Sequence, residues 1–166
     1  NTQPIKKLNN KKNNYSPDDI MHGNIPSGNI AIFDDDYYYL GPVIAELLQK
    51  KGNQVTYIST SAVVCEFGNF TSEQFNYQKS LIETGVKLEL SKNIISYEGK
   101  ELLLSCIYTE KISKINIDAI VMITSRSPND SFFYELIQNT KSKKFKSINK
   151  IGDCLNPSTI AAAVYE

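Results

Sequence analysis

Histidine, arginine and cysteine are nearly missing from this 166-residue chain. It has one histidine, His22, one arginine, Arg126, and three cysteines, Cys65, Cys106 and Cys154. A protein-built zinc site takes about four nitrogen or sulfur ligands at short spacing, and none is spaced that way here, so no metal site is expected. An iron–sulfur centre needs about four thiolates, and three scattered ones cannot hold it. The cysteines form no Cys-x-x-Cys pair and read as ordinary buried thiols. Their odd number fits a reducing, cytoplasmic compartment. Net charge is also missing, because 18 basic residues balance 18 acidic ones. That removes any strong pull towards nucleic acid or an anionic membrane. Two lysine-rich stretches, residues 6–12 and 141–150, read as solvated surface; Phe145 is the one aromatic among them, without the interleaved series that a single-strand groove requires. No run is apolar enough to span a bilayer, and no signal peptide is visible. The chain does not begin with Met, so a piece of a longer protein is expected. With 41% hydrophobic residues it can build one domain of ordinary core, with pieces of a neighbour.

What is present is an alternation of apolar runs and helical patterns. Residues 1–15 read as a polar, poorly ordered lead. SPDDIM at residues 16–21 starts a short helix: Ser16 caps, Pro17 sits in the first turn, and acids favour its dipole. A strand over 30–33 follows, then a helix after Tyr39 with Ile44, Ala45, Leu47 and Leu48 at helical spacing, ended by Gly52. Residues 55–58 form a second buried strand, and strand, helix and strand in this order make a parallel, right-handed unit. The stretch 59–69 is irregular. TSEQ at 71–74 has the pattern of a capping box and opens a helix closed by Gly85. Short strands over 86–90, 94–97 and 102–108, with a Glu98-Gly99 turn, form a strand plus an antiparallel hairpin-like excursion. The apolar run 117–124 reads as a central parallel strand. A helix begins at Asn129-Asp130. Residues 148–151 form a further strand ending in Gly152-Asp153, and a last helix covers 158–164.

The most informative segment is NIAIFDDDYYYLGPVIA, residues 29–45. It is strand, tight turn and helix, the place where a dinucleotide-binding fold keeps its glycine-rich phosphate loop. Here Asp34, Asp35, Asp36, Tyr37, Tyr38 and Tyr39 stand in that loop. Carboxylates repel a pyrophosphate, and side chains block close backbone approach. The acids could bind a cation or a substrate amine, or be solvated, bond the turn or meet a partner domain. Adjacent strand positions point to opposite faces, which weighs against a catalytic pair. The tyrosines could stack on a base, or fill the vacated groove or an interdomain contact. Gly41 and Ala45 read as helix–strand packing positions. The second strand ends in Ser59-Thr60-Ser61, without the acid that would hold ribose hydroxyls. Arg126 follows the central strand, at the carboxyl edge where ligands bind; it could pair with a phosphate or with the acids of the first turn.

The segments SPDDIM (16–21), IFDDDYYYLG (32–41), AELL (45–48), VTY (55–57), TSRSPND (124–130) and IGDC (151–154) together resemble one family. It is the trimethylamine dehydrogenase group of flavoproteins, related to old yellow enzyme, to 2,4-dienoyl-CoA reductase and to histamine and dimethylamine dehydrogenases. The resemblance covers about residues 16–166 and only the C-terminal part of such proteins. It implies an α/β fold: a Rossmann-like three-layer domain with a mostly parallel sheet and a β-hairpin excursion, like the NAD(P) domain of glutathione reductase. It divides the chain into a lead and linker (1–25), an NAD(P)H-domain-like part (26–140) and a segment returning to an FAD/ADP-binding-like domain (147–166).

Further expectations follow from the resemblance. Gly152, Asp153 and Ser158 would lie on the ADP or FAD side. Asp34, Asp36, Gly41 and Arg126 would line a degenerate dinucleotide cleft. No residue of the chain would be catalytic, and the chain itself would carry no cofactor. The parent would hold FMN and a 4Fe-4S cluster with ADP or FAD, and would oxidise a small amine or reduce an enoyl compound. Partners would be the upstream flavin barrel and the FAD/ADP-like domain of the same polypeptide, with no nucleic acid or membrane; a homo-oligomer is left open. The chain would act as a scaffold without its own catalysis. Two alternatives stand beside this: a working NAD(P)H-binding module of a 2,4-dienoyl-CoA reductase-like enzyme, and a stand-alone interaction domain.

Overall fold

A computed structural model describes residues 3–4, 8, 13–138 and 147–157. In chain order the elements are β1 (Gln3–Pro4), β2 (Asn14–Tyr15), α1 (Pro17–Met21), β3 (Asn29–Asp34), α2 (Leu40–Lys50), β4 (Gln54–Ser59), α3 (Gln74–Glu83), β5 (Lys87–Glu89), β6 (Lys92–Glu98), β7 (Glu101–Cys106), β8 (Ile112–Asn116), β9 (Ala119–Ile123), β10 (Arg126–Ser127) and α4 (Ser131–Gln138). They fall into two compact units, residues 6–124, and residues 1–5 with 125–166.

The first unit is built on a parallel sheet of order β2-β9-β3-β4-β5. Strand periodicity gives this sheet two apolar faces. On one face Ile30, Ile32, Tyr57, Val121 and Ile123 pack with Ile44, Ala45 and Leu48 of α2 and Leu81 of α3. On the other, Ala31, Phe33, Ile58, Ile120 and Met122 pack with Ile94, Tyr97, Leu102 and Leu104 of an antiparallel sheet, order β6-β7-β8. The result is three layers: helices, parallel sheet, antiparallel sheet. Each fully buried large side chain contributes about 1.5–3 kcal/mol, so these two clusters dominate the fold's stability. The sequence predicts this α/β architecture, including β9 as an interior strand, and the structure has it.

Several local expectations are corrected. The hairpin-like excursion is present as the antiparallel pair β6–β7, but it gains a third strand, because β8 returns against β7 with Leu102 opposite Ile115. The polar lead supplies β2, where Asn14 and Tyr15 pair with Ile120 and Val121. The capping box at 71–74 does not form. Thr71 instead donates to the Glu73 carboxylate (2.7 Å) and to the Gly68 carbonyl (3.2 Å), Ser72 turns to φ +62°, and α3 starts at Gln74 without a side-chain cap. A capping box does form at α1, where Asp19 N–H donates to Ser16 Oγ (3.2 Å) and Ser16 N–H to Asp19 Oδ2 (2.8 Å).

In the second unit β1 and β10 form a short antiparallel ladder. The predicted strand over 148–151 is not one. The backbone at Ile151 is extended (φ −141°, ψ 155°), but no partner strand is present among the described residues, and an extended chain without a ladder is not a sheet. Gly152–Cys154 then forms a single 3-10 turn. The last helix expected over 158–164 lies outside the described residues.

Candidate functional site

The end of β3 directs Asp34 into the unit rather than outward. Its side chain is 0% exposed. Asp34 Oδ1 accepts the backbone N–H groups of Asp36 (3.0 Å) and Tyr37 (3.1 Å). Asp34 Oδ2 accepts the Tyr57 hydroxyl at 2.5 Å. Buried carboxylates survive only with such donors. Burial is still the larger influence and pushes the Asp34 carboxyl up to about 6; the bonds from Tyr57, Asp36 and Tyr37 pull it down, and the charge of Asp36 adds to the rise. Burial and the adjacent Asp34 push the Tyr57 phenol far up.

The turn after Asp34 is held tightly. Asp35 N–H donates to the Ile123 carbonyl of the neighbouring strand at 2.9 Å. Tyr37 adopts φ +62°, a left-handed conformation costly for a bulky residue. Its hydroxyl lies 2.5 Å from Thr60 Oγ1, its carbonyl accepts Phe67 N–H at 3.0 Å, and its ring meets Phe67 edge-on at 5.8 Å. Tyr38 and Tyr39 pack edge to face at 5.3 Å. At the head of α2, a Cβ on Gly41 would lie 2.1 Å from Asp34 Oδ2 and 2.6 Å from its Cγ. Only glycine fits there. The hydroxyls ending β4 serve the backbone: Ser59 Oγ donates to the Asp34 carbonyl (2.8 Å) and accepts Ser61 N–H (3.2 Å).

The structure therefore brings Asp34, Asp36 and Gly41 together at one turn and adds Tyr57, which sequence reasoning treats only as strand core. Two open grooves of this unit lie elsewhere. One runs beside Tyr15, Asp19 and Asn24; the other lies at the amino ends of β3 and β4, lined by Asn29, Gln49, Gln54 and Lys87. Arg126, half-buried on β10, belongs to the second unit, as do Gly152 and Asp153 on the 3-10 turn. Ser158 lies outside the described residues. Cys65 is buried, and burial raises its thiol pKa; Cys106 and Cys154 are half-buried. Among the described residues, no group of three His, Cys, Asp or Glu side chains could hold a metal ion, and no helix is long and apolar enough to cross a membrane.

Comparison with known proteins gives this geometry its context. The chain is 24% identical to dimethylamine dehydrogenase of Hyphomicrobium sp. (strain x), over 91% of this chain and 23% of that protein. It superposes on histamine dehydrogenase from Rhizobium sp. 4-9 with a TM-score of 0.90 and 30% identity, over 99% of this chain and 28% of that one. It superposes on 6-hydroxypseudooxynicotine amine oxidase from Pseudomonas geniculata N1 with a TM-score of 0.89 and 26% identity, over 99% of this chain and 26% of that one. The chain thus spans about a quarter of the length of these relatives. The profile of the OYE-like second alpha/beta domain matches residues 15–131, and the chain belongs to that family of old yellow enzyme-related flavoprotein domains.

Proposed function

We propose that this chain is the nucleotide-domain-like scaffold of a larger flavin-dependent oxidoreductase of the amine dehydrogenase type. It would carry no catalysis of its own. The observation behind this reading is the Asp34 carboxylate, which takes the N–H groups of Asp36 and Tyr37 that a glycine-rich turn would offer to a pyrophosphate. A second anion at that turn would meet a buried carboxylate in place of donors. The residues present do not fit a nicotinamide dinucleotide.

In the same proposal, residues 26–140 correspond to an NAD(P)H-domain-like part and residues 147–166 return to an FAD/ADP-like domain. Gly152, Asp153 and Ser158 would then face an adenine nucleotide whose main phosphate loop lies elsewhere in the polypeptide. FMN and a 4Fe-4S cluster would be held by other parts of the parent, which would supply the redox chemistry. The partners would be the flavin barrel and FAD/ADP-like domain of the same polypeptide. Calorimetric titration with NADH and NADPH tests the reading. No binding heat is expected at millimolar nucleotide. Micromolar affinity for either would assign the chain as a working NAD(P)H module instead.

A further inference from the structure

Lys150 stands two residues before the Gly152–Cys154 turn. Its ammonium donates to Asp130 Oδ2 at 2.8 Å. It lies 5.2 Å from the ring centroid of Phe133 and 5.1 Å from that of Tyr134. Those two rings themselves meet edge to face at 5.4 Å, so the cation has a fixed aromatic seat. Only 16% of the Lys150 side chain and 23% of the Asp130 side chain are exposed, which puts this pair outside the weak class of surface ion pairs. Asp130 in turn accepts Tyr134 N–H on its carbonyl at 3.2 Å, so carboxylate and ring share one rigid helix start. The hydrogen bond to Asp130 holds the Lys150 pKa above its ordinary value, and the cation persists at any physiological pH.

Among the described residues beyond Lys150, the 3-10 turn Gly152–Cys154 is the one regular element. Ile151 is extended and largely exposed, and Gly152 turns to φ +57°. The Gly152 carbonyl then accepts Leu155 N–H (2.8 Å) and Asn156 N–H (2.9 Å). Among the described residues, the approach to this turn is tied down by the Lys150 side chain rather than by a strand ladder. We propose that Lys150 is a positioning residue: gripped by Asp130 and the faces of Phe133 and Tyr134, it fixes the register at which the chain enters the Gly152–Cys154 turn. The turn's assignment to an adenine nucleotide rests on the proposed function; the grip itself does not.

Hydrogen exchange on the natural polypeptide that carries this chain tests the proposal, with Lys150→Met, Lys150→Arg and Asp130→Asn variants. Lys150→Met keeps the aliphatic stem and removes the charge; Lys150→Arg keeps a cation that can stack and bond. The Leu155 and Asn156 amides are expected to exchange about tenfold faster in Lys150→Met and Asp130→Asn, the scale of one lost hydrogen bond to a charged group. Lys150→Arg should stay close to wild type, and the amides of residues 30–33 should not change in any variant. Unchanged Leu155 and Asn156 amides in Lys150→Met would overturn the proposal, as would equal acceleration at residues 30–33. Added ADP separates the two readings. Faster exchange in Lys150→Met, with no ADP-dependent protection in wild type, upholds the grip and defeats the nucleotide assignment. Equal ADP protection in wild type and Lys150→Met, without faster exchange, does the reverse.

Discussion

Gly41 has no side chain because the Asp34 carboxylate occupies the space its Cβ would need, 2.1 Å from Oδ2. The first turn of α2 and the end of β3 are therefore coupled through one buried acid. Gly41→Ala should destabilise the protein by about 1–3 kcal/mol, the usual cost of overpacking a filled site. In the double variant Asp34→Ala/Gly41→Ala the added methyl has room, so the two effects should be strongly non-additive. Urea unfolding of the four proteins gives the coupling energy. A value near zero would mean that the restriction at Gly41 does not come from the Asp34 carboxylate.

Asp34 also predicts a pH dependence of unusual sign. Its folded pKa of about 6 lies above the ordinary 3.8. Between those values the folded state binds a proton that the unfolded state has released, so this group's contribution falls as pH rises from about 4 to 6 and stays low above that. The difference corresponds to about 3 kcal/mol. Asp19 and Glu46, whose pKa values are lowered by bonds to Ser16 and Lys50, act in the opposite direction and lose their contribution in acid. Wild type must therefore be compared with Asp34→Asn at each pH. The stability difference should shift against wild type by about 2 kcal/mol between pH 4 and pH 7. A flat difference would show that Asp34 is charged at no cost in the folded protein.

Tyr57→Phe removes the one hydroxyl donor to Asp34 Oδ2 while keeping the ring in the core. A buried acceptor left without its donor costs about 1–3 kcal/mol. The loss should be larger at pH 7.5 than at pH 4.5, because the phenol stabilises the charged form of Asp34 most. Chemical denaturation at both pH values reads this directly, and equal losses would place the Tyr57–Asp34 bond among neutral ones.

How much of this was legible in the sequence varies residue by residue. β3, α2, β4 and β9 are carried by apolar periodicity, which survives without tertiary context. Asp34, Asp35 and Asp36 look alike in sequence; only the approach of Gly41 and the parallel register of β3 with β4 decide that Asp34 is the buried one. Tyr57 reads as an ordinary strand aromatic, since its hydroxyl gains meaning only when β4 lies beside β3. β8 was hidden because Ile112, Lys114 and Asn116 face solvent and only Ser113 and Ile115 turn inward. At 71–74 the capping pattern was outcompeted, as Thr71 found Glu73 and Gly68 first. Residues 148–151 have the pattern of a strand but no neighbour to pair with among the described residues. There the lysine of the run, not its isoleucines, makes the hydrogen bond.

Removing the acids alone should not restore a dinucleotide site. Asp34→Gly/Asp36→Gly releases the Asp36 and Tyr37 positions from the carboxylate and lifts the charge. It leaves Tyr37 in its left-handed conformation, bonded to Thr60 and Phe67, and leaves two more tyrosines ahead of Gly41. A G-x-G-x-x-G turn brings its third glycine five residues after the first, whereas Gly41 stands seven after Asp34, so the backbone path differs and not only its charge. At the end of β4 the Ser59 hydroxyl is committed to backbone groups, and no carboxylate awaits a ribose. The double variant should remain folded by circular dichroism and show no NADH binding at millimolar concentration by calorimetry or nucleotide fluorescence. Micromolar binding would show that two carboxylates were the whole obstacle and that the tyrosine turn is compatible with a cofactor.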